Sequence, residues 1–278
     1  MIISIASGKG GTGKTTIATN LALSIKKRVQ FLDCDVEEPN AHIFLKPQIQ
    51  RTEAVSIPVP EIDESKCNFC GRCQEICAYN ALAVLKDKVL TFHHLCHGCG
   101  GCRLLCPLNA IKEVDREIGV IEVGSSNNLQ FIHGRLNINE MMSPPLIRAV
   151  KDCIIPTKIV IIDAPPGTSC PVIEAVKNSD FCILVTEPTP FGLNDLVLAV
   201  EVLRRLGIPF GVVINRSDIG DDKVDNFCHK DNIPILMRIP FNKQIAIAYS
   251  EGIPIIDTIS EYKKEFVALY KNIVKIVR

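Results

Sequence analysis

The run Gly8-Lys9-Gly10-Gly11-Thr12-Gly13-Lys14-Thr15 constrains this chain more than any other stretch. It has the form G-x-x-x-x-G-K-[ST], and Ile2, Ile3 and Ile5 before it read as a buried strand. After it, Ile17, Ala18, Leu21 and Ile25 recur at helical spacing. They predict a helix from Thr15 to about Lys27, with Lys26, Lys27 and Arg28 at its C-terminal end. Strand, glycine loop and helix in this order make a phosphate cradle. Backbone N–H groups turn inward, and the helix N-terminus adds its partial positive charge. The candidate phosphate-binding residues run from Gly8 through Lys9, Gly10, Gly11, Thr12, Gly13, Lys14 and Thr15 to Thr16. Lys14 would reach the β- and γ-phosphates, and the Thr15 hydroxyl would hold Mg²⁺.

Carboxylates follow where a doubly wound sheet places its chemistry, at strand ends facing the loop. Arg28–Leu32 reads as a strand that delivers Asp33-Cys34-Asp35. Lys158–Ile162 is an apolar strand running into Asp163-Ala164-Pro165-Pro166-Gly167, the form of a Walker B site. Asp163 would bind magnesium, through water, because Mg²⁺ keeps much of its hydration. The plainer reading is that these acids cap turns. Phe181–Thr186 and Phe210–Ile214 are further buried strands, joined by a helix over Leu193–Leu206 that stops at Gly207. Val55–Val59 reads as a short edge strand, and Gly119–Val123 and Gln130–Ile132 as two more. The fold class is α/β, a mostly parallel, doubly wound sheet.

Lys9 is not required by an ordinary phosphate loop. With it, Lys9-Gly10-Gly11-Thr12-Gly13-Lys14-Thr15-Thr16 resembles the deviant Walker A motif of the MinD/ParA/nitrogenase-iron-protein family. The resemblance implies ATP as the nucleotide and a homodimer in which Lys9 reaches the nucleotide of the partner subunit. It implies that Asp35 positions the attacking water, that Asp33 lies near the magnesium shell, and that Gly167 belongs to a moving switch. Lys9, Lys14 and Asp35 are then the catalytic candidates. Asn215 would hydrogen-bond the adenine, with Arg216 and Pro240 beside the base. Cys170 matches the spacing of a cluster cysteine in the nitrogenase iron protein. That protein's second cluster cysteine, upstream of Walker B, has no counterpart between Val114 and Cys153, and Cys170 reads as a small buried hydrophobe.

Eight of the thirteen cysteines crowd between Cys67 and Cys106. Met1–Ala6 is too short for a signal peptide, so a cytoplasmic setting is expected and a disulfide framework is not. The runs are Cys67-x2-Cys70-x2-Cys73-x3-Cys77 and Cys96-x2-Cys99-x2-Cys102-x3-Cys106-Pro107. Zinc commonly takes two C-x2-C pairs per ion. Two runs of identical C-x2-C-x2-C-x3-C spacing fit iron–sulfur better. The segment resembles a bacterial two-[4Fe–4S] ferredoxin domain, with Ala78 where proline is usual. In such domains the fourth cysteine of each run serves the other cluster. Cluster one would take Cys67, Cys70, Cys73 and Cys106, and cluster two Cys96, Cys99, Cys102 and Cys77. His93, His94 and His97 read as loop residues, with His97 placed to tune cluster two. Residues 62–114 would form this insert, with 1–61 and 115–278 as the ATPase domain.

Basic and acidic residues balance at 31 each, which gives no electrostatic footprint for nucleic acid. No stretch approaches the ~18–20 apolar residues of a membrane span. The expected activity is Mg-ATP hydrolysis that couples nucleotide state to electron transfer toward a redox or iron–sulfur partner protein. One alternative is iron–sulfur cluster assembly or carriage. Related scaffold ATPases use a C-terminal C-x-x-C pair for that, and none is found here. Another is a MinD-like spatial organiser at a membrane. Its sole hint is the helical pattern over Glu261–Arg278, where Phe266, Tyr270, Ile273 and Val277 oppose a basic face. Packing of that stripe on the sheet is the preferred reading.

Overall fold

The computed structural model describes residues 1–277. Eleven strands are present among them: β1 (Ile2–Ala6), β2 (Val29–Asp33), β3 (Gln48–Ile62), β4 (Leu82–Val84), β5 (Val89–Thr91), β6 (Ile111–Ser126), β7 (Leu129–Leu136), β8 (Ile159–Asp163), β9 (Phe181–Thr186), β10 (Phe210–Asn215) and β11 (Ile235–Ile239). Nine form one sheet in the order β11-β10-β9-β1-β8-β2-β7-β6-β3. From β11 to β7 all neighbours are parallel, whereas β6 is antiparallel to both β7 and β3. The central strands β2, β8 and β9 are buried along their whole length. Helices cover both faces, which is why these strands are mostly apolar, with the buried Gln30 of β2 as an exception. Ile17 and Leu21 of helix Lys14–Ser24 join Phe266 and Ile273 of helix Ser260–Val277 in one core layer. Leu146, Val172 and Leu196, from helices Ser143–Asp152, Cys170–Val176 and Pro190–Leu206, fill the other.

Two expectations change. The first helix ends at Ser24, and Ile25 is already extended, so Lys26, Lys27 and Arg28 lie beyond its last turn. The short strand expected at Val55–Val59 runs over fifteen residues, and its partner over sixteen. They pair from Gln48↔Ser125 to Ile62↔Ile111. Their outer parts escape an apolar-run search because Gln48–Ala54 is exposed along its length. The C-terminal stripe packs on the sheet as preferred: Phe266 and Ile273 are buried, together with Tyr262 and Leu269. Arg278, part of the expected basic face, lies outside the described residues. No helix among the described residues is long and apolar enough to cross a membrane.

The long β3/β6 pair positions the cysteines. β6 pairs with β7 only over Gly119–Ser126. From Ile118 to Ile111 it pairs with β3 alone, so a two-stranded ribbon leaves the sheet. At about 3.3 Å per residue the part that leaves the sheet is about 26 Å long. Residues 63–110 sit at its tip, closed by a hydrogen bond from Asp63 N–H to the Ala110 carbonyl of 2.7 Å. They hold short helices at Arg72–Glu75 and Gly101–Leu104 and the β4/β5 hairpin. The two cysteine runs repeat one backbone geometry. Gly71 and Gly100 precede the helices, and Asn80 and Asn109 follow the last cysteines, all at positive φ. Arg116 on the ribbon is ion-paired to Glu140, which braces the ribbon against the loop after β7.

Candidate functional site

The phosphate loop leaves β1 at the centre of the parallel sheet and closes on helix Lys14–Ser24. Gly13 starts that helix at φ +95, and a Cβ there would lie 2.6 Å from Asn215 Nδ2. Asn215 Nδ2 donates to the Thr12 carbonyl at 2.9 Å, so the end of β10 holds the loop directly. Only glycine admits both the left-handed backbone and that approach. Lys14 is 6% exposed. A cavity of about 410 Å³ begins at Gly13, Lys14 and Thr15, passes Asp35, and ends at Asn215, Arg216 and Pro240. The phosphate-end and base-end candidates thus line a single space.

The three carboxylates behave differently. Asp33 is fully buried, and accepts from Asp35 N–H at 3.1 Å and from Ala41 N–H at 3.0 Å. It holds the loop that carries Asp35. Burial, then the neighbouring Asp163, drives its pKa well above the usual carboxylate range. Asp35 is pushed up to about 6 by burial, against the pull of Lys14. Asp163 is pushed up to about 7 by burial and by Asp35, against the Thr15 hydroxyl and Lys14. Neither Asp163 oxygen has a hydrogen-bond partner, although both are buried. A buried carboxylate left unpaired is costly. Two orphaned oxygens with Thr15 beside them fit Mg²⁺, a hard cation that takes oxygen ligands.

These shifts set a pH dependence. Burial pushes the Asp163 pKa up to about 7, from 3.8 for the free carboxyl. Between those limits the folded state binds more protons than the unfolded one. The nucleotide-free protein therefore loses stability as pH rises through that window. Mg²⁺ needs the ionised carboxylate, so its affinity rises with pH up to about 7 and binding releases protons. Titration calorimetry in buffers of different ionisation enthalpy reads that release. An Mg²⁺ affinity that is flat from pH 6 to pH 8 would contradict the assignment.

Lys9 pairs within its own chain. Its Nζ lies 3.9 Å from Glu187 Oε2, and Arg216 Nη1 lies 2.7 Å from Glu187 Oε1. Sequence reasoning missed Glu187. Its signal was its position directly after β9, at the same edge of the sheet as Asp33 and Asp163. Arg216 adopts φ +51, a rare conformation for a non-glycine residue. Cys170 is exposed at the start of its helix rather than a buried hydrophobe, because its turn faces solvent.

The cysteines form two sets. Cys67, Cys70, Cys73 and Cys106 line one small cavity with Ile62, Val84 and Val89. Cys77 lies in the electrostatic neighbourhood of Cys96 and Cys99. Burial raises the thiol pKa of Cys73, Cys96 and Cys102, the last to about 11. Four backbone amides point at sulfur: Phe69 to Cys67, Gly98 to Cys96, Ala81 to Cys77 and Ala110 to Cys106. Such donors suit thiolates, which is the ligating form. Among the described residues, no three His, Cys, Asp or Glu side chains gather around a single metal ion.

A glycine loop between the central strand and its helix, with acids at neighbouring strand ends, defines a P-loop nucleotide-binding protein. Residues 3–255 match the CobQ/CobB/MinD/ParA nucleotide-binding domain, and the chain belongs to that family. It is a P-loop ATPase of the MinD/ParA type. Two uncharacterised proteins of Methanocaldococcus jannaschii are each 33% identical to it, over 91% and 98% of this chain and 90% and 96% of their own lengths. An iron–sulfur cluster carrier protein of Pyrococcus abyssi is 24% identical, over 91% of this chain and 78% of its own. The septum site-determining protein MinD of Pyrococcus horikoshii, solved with Mg-ADP, superposes with a TM-score of 0.59 at 20% identity. That match covers 99% of this chain and 96% of MinD, and shows the shared fold.

Proposed function

We propose that this ATPase works as a homodimer that couples Mg-ATP hydrolysis to electron transfer through two [4Fe–4S] clusters toward a partner protein. The observation that carries the reading is the pair of cysteine sets at the tip of a ribbon rooted beside the nucleotide site. In this reading residues 62–114 are a ferredoxin-type insert in an ATPase domain of 1–61 and 115–278. The clusters supply one-electron storage. Lys14 and the loop amides hold the phosphates, Thr15 and Asp163 hold Mg²⁺, and Asp33 fixes the loop that aims Asp35 at the attacking water. Lys9 leaves Glu187 and stabilises charge on the nucleotide of the partner subunit. Asn215, Arg216 and Pro240 receive the adenine.

Cluster carriage is the second reading. It is favoured by distant relatives named iron–sulfur cluster carrier proteins, from Pyrococcus abyssi and Rickettsia felis.

Anaerobic redox titration followed by EPR tests the coupling, on the native protein and on Lys9→Ala, with and without Mg-ATP. If reduction changes ATP affinity tenfold, linkage moves a one-electron potential by about 59 mV. A shift of that order is expected in the native protein and is expected to vanish in Lys9→Ala. Potentials indifferent to nucleotide, together with iron passing to an apo-acceptor, would favour carriage.

A further inference from the structure

The two cysteine sets share one backbone geometry but meet the rest of the chain differently. In each set one amide donates to the first cysteine of a run and another to the last. Phe69 N–H to Cys67 and Gly98 N–H to Cys96 are both 3.4 Å. Ala81 N–H to Cys77 is 3.3 Å, and Ala110 N–H to Cys106 is 3.2 Å. Beyond these bonds the likeness ends.

Cys96 is 8% exposed and, with Ala81, belongs to a continuous core that also contains Cys34 and Val36 of the Asp35 loop. Cys77 and Leu95 pack against that core. Gly98, at φ +65, lies so near β3 that a Cβ would meet the Pro58 carbonyl oxygen at 3.1 Å. Next to it, His93 Nε2 is 3.0 Å from the Pro60 carbonyl oxygen. Cys99 and Cys102 lie outside that core, so this set meets it through two of its four cysteines, whereas none of Cys67, Cys70, Cys73 and Cys106 meets it among the described residues. Their cavity is walled by Ile62, Val84 and Val89 at the far end of the ribbon.

The core between Val36 and Cys96 is also tied by backbone hydrogen bonds. Leu136 N–H donates to the Val36 carbonyl at 2.9 Å, and Asn137 N–H to the Ile118 carbonyl at 2.9 Å. Val36 follows Asp35, Leu136 ends β7, and Ile118 is where the ribbon leaves the sheet. Protein interiors are close-packed, so a shift of Val36 must be taken up by its neighbours. Coupling of this kind runs through contiguous packing and hydrogen bonds.

We infer that the two sets are functionally unequal: the set of Cys77, Cys96, Cys99 and Cys102 responds to the nucleotide, and the set of Cys67, Cys70, Cys73 and Cys106 does not. This rests on the proposed iron–sulfur ATPase function and adds which set the ATPase addresses. When Asp35 and Val36 move on nucleotide exchange, the displacement passes to the ribbon root and reaches the Gly98 and Ala81 donors. The Phe69 and Ala110 donors stay as they were.

Amide hydrogen exchange at residue resolution tests this on the anaerobically purified, iron-loaded full chain. It compares Mg-ADP with a non-hydrolysable Mg-ATP analogue. Couplings of the usual size correspond to about fivefold or more. Exchange at Gly98 and Ala81 is expected to change by at least that factor, with Phe69 and Ala110 changing less than about twofold. The internal repeat makes the second pair a matched control. Equal changes in both pairs, changes confined to Phe69 and Ala110, or no change in an iron-loaded protein overturn the inference and leave the proposed function standing. A chain that takes up no iron overturns both.

Discussion

Asp163→Asn is expected to stabilise the nucleotide-free protein at pH 8 while lowering ATP hydrolysis about 10²–10³-fold. The two effects share one cause. Asp163 is fully buried at the end of β8, and neither of its oxygens is hydrogen-bonded. Above its raised pKa of about 7 it carries a buried charge that the Thr15 hydroxyl and Lys14 offset only in part. Removing such a charge relieves a penalty of about 1–3 kcal/mol. The same carboxylate is what the Mg²⁺ site needs, so its loss is paid in rate. The pH dependence separates this cause from general repacking. At pH 5 the native Asp163 is protonated in the folded state, and the stabilisation by asparagine should fade. Thermal melts at the two pH values, with steady-state ATPase assays, give the answer. A variant that melts lower than the native chain at pH 8 would remove the burial argument.

Iron removal is expected to unfold residues 63–110 and leave the sheet intact. Few side chains in that segment are buried: Ala81, Leu82, Val89, Cys96 and Ala110. Domains of this size commonly need metal or disulfides because they bury too little apolar surface. Ligand binding to a site absent from the unfolded chain contributes directly to folding. Chelation should therefore raise trypsin cleavage at Lys66, Arg72, Lys86, Lys88 and Arg103 by at least about tenfold, equivalent to about 1.4 kcal/mol of local opening. Limited proteolysis with mass spectrometry reads the sites, and far-UV circular dichroism reads the surviving sheet. An unchanged digestion pattern would mean that the segment folds on its own core. Failure here would leave the Asp163 result untouched, because the two sites draw on different packing.

The phosphate loop, the central strands and the two acids at their ends were legible in the amino-acid order. Each depends on a local pattern: a glycine spacing, an unbroken apolar run, a carboxylate where the run stops. The cysteine spacing was legible for the same reason. Glu187 was not, since one acid after a strand is an ordinary sight until Lys9 and Arg216 are found beside it. The full ribbon was not either. Gln48–Ala54 of β3 is exposed along its length, and the pairing joins positions far apart in the chain. The C-terminal stripe carried two readings, because a helix that lies on lipid and one that lies on a sheet have the same periodicity.

Local chemistry therefore marks the residues proposed to bind phosphate and the thiols proposed to bind metal. Its family membership follows largely from the loop. The relation between the two sites belongs to the tertiary structure. Residues 63–110 are carried out on a ribbon, yet Cys77 and Cys96 of one cysteine set stay packed on the same core as the Asp35 loop. Packing of that kind depends on side chains meeting across long sequence separations. No spacing rule encodes it, and it is what makes two repeats of one motif unequal.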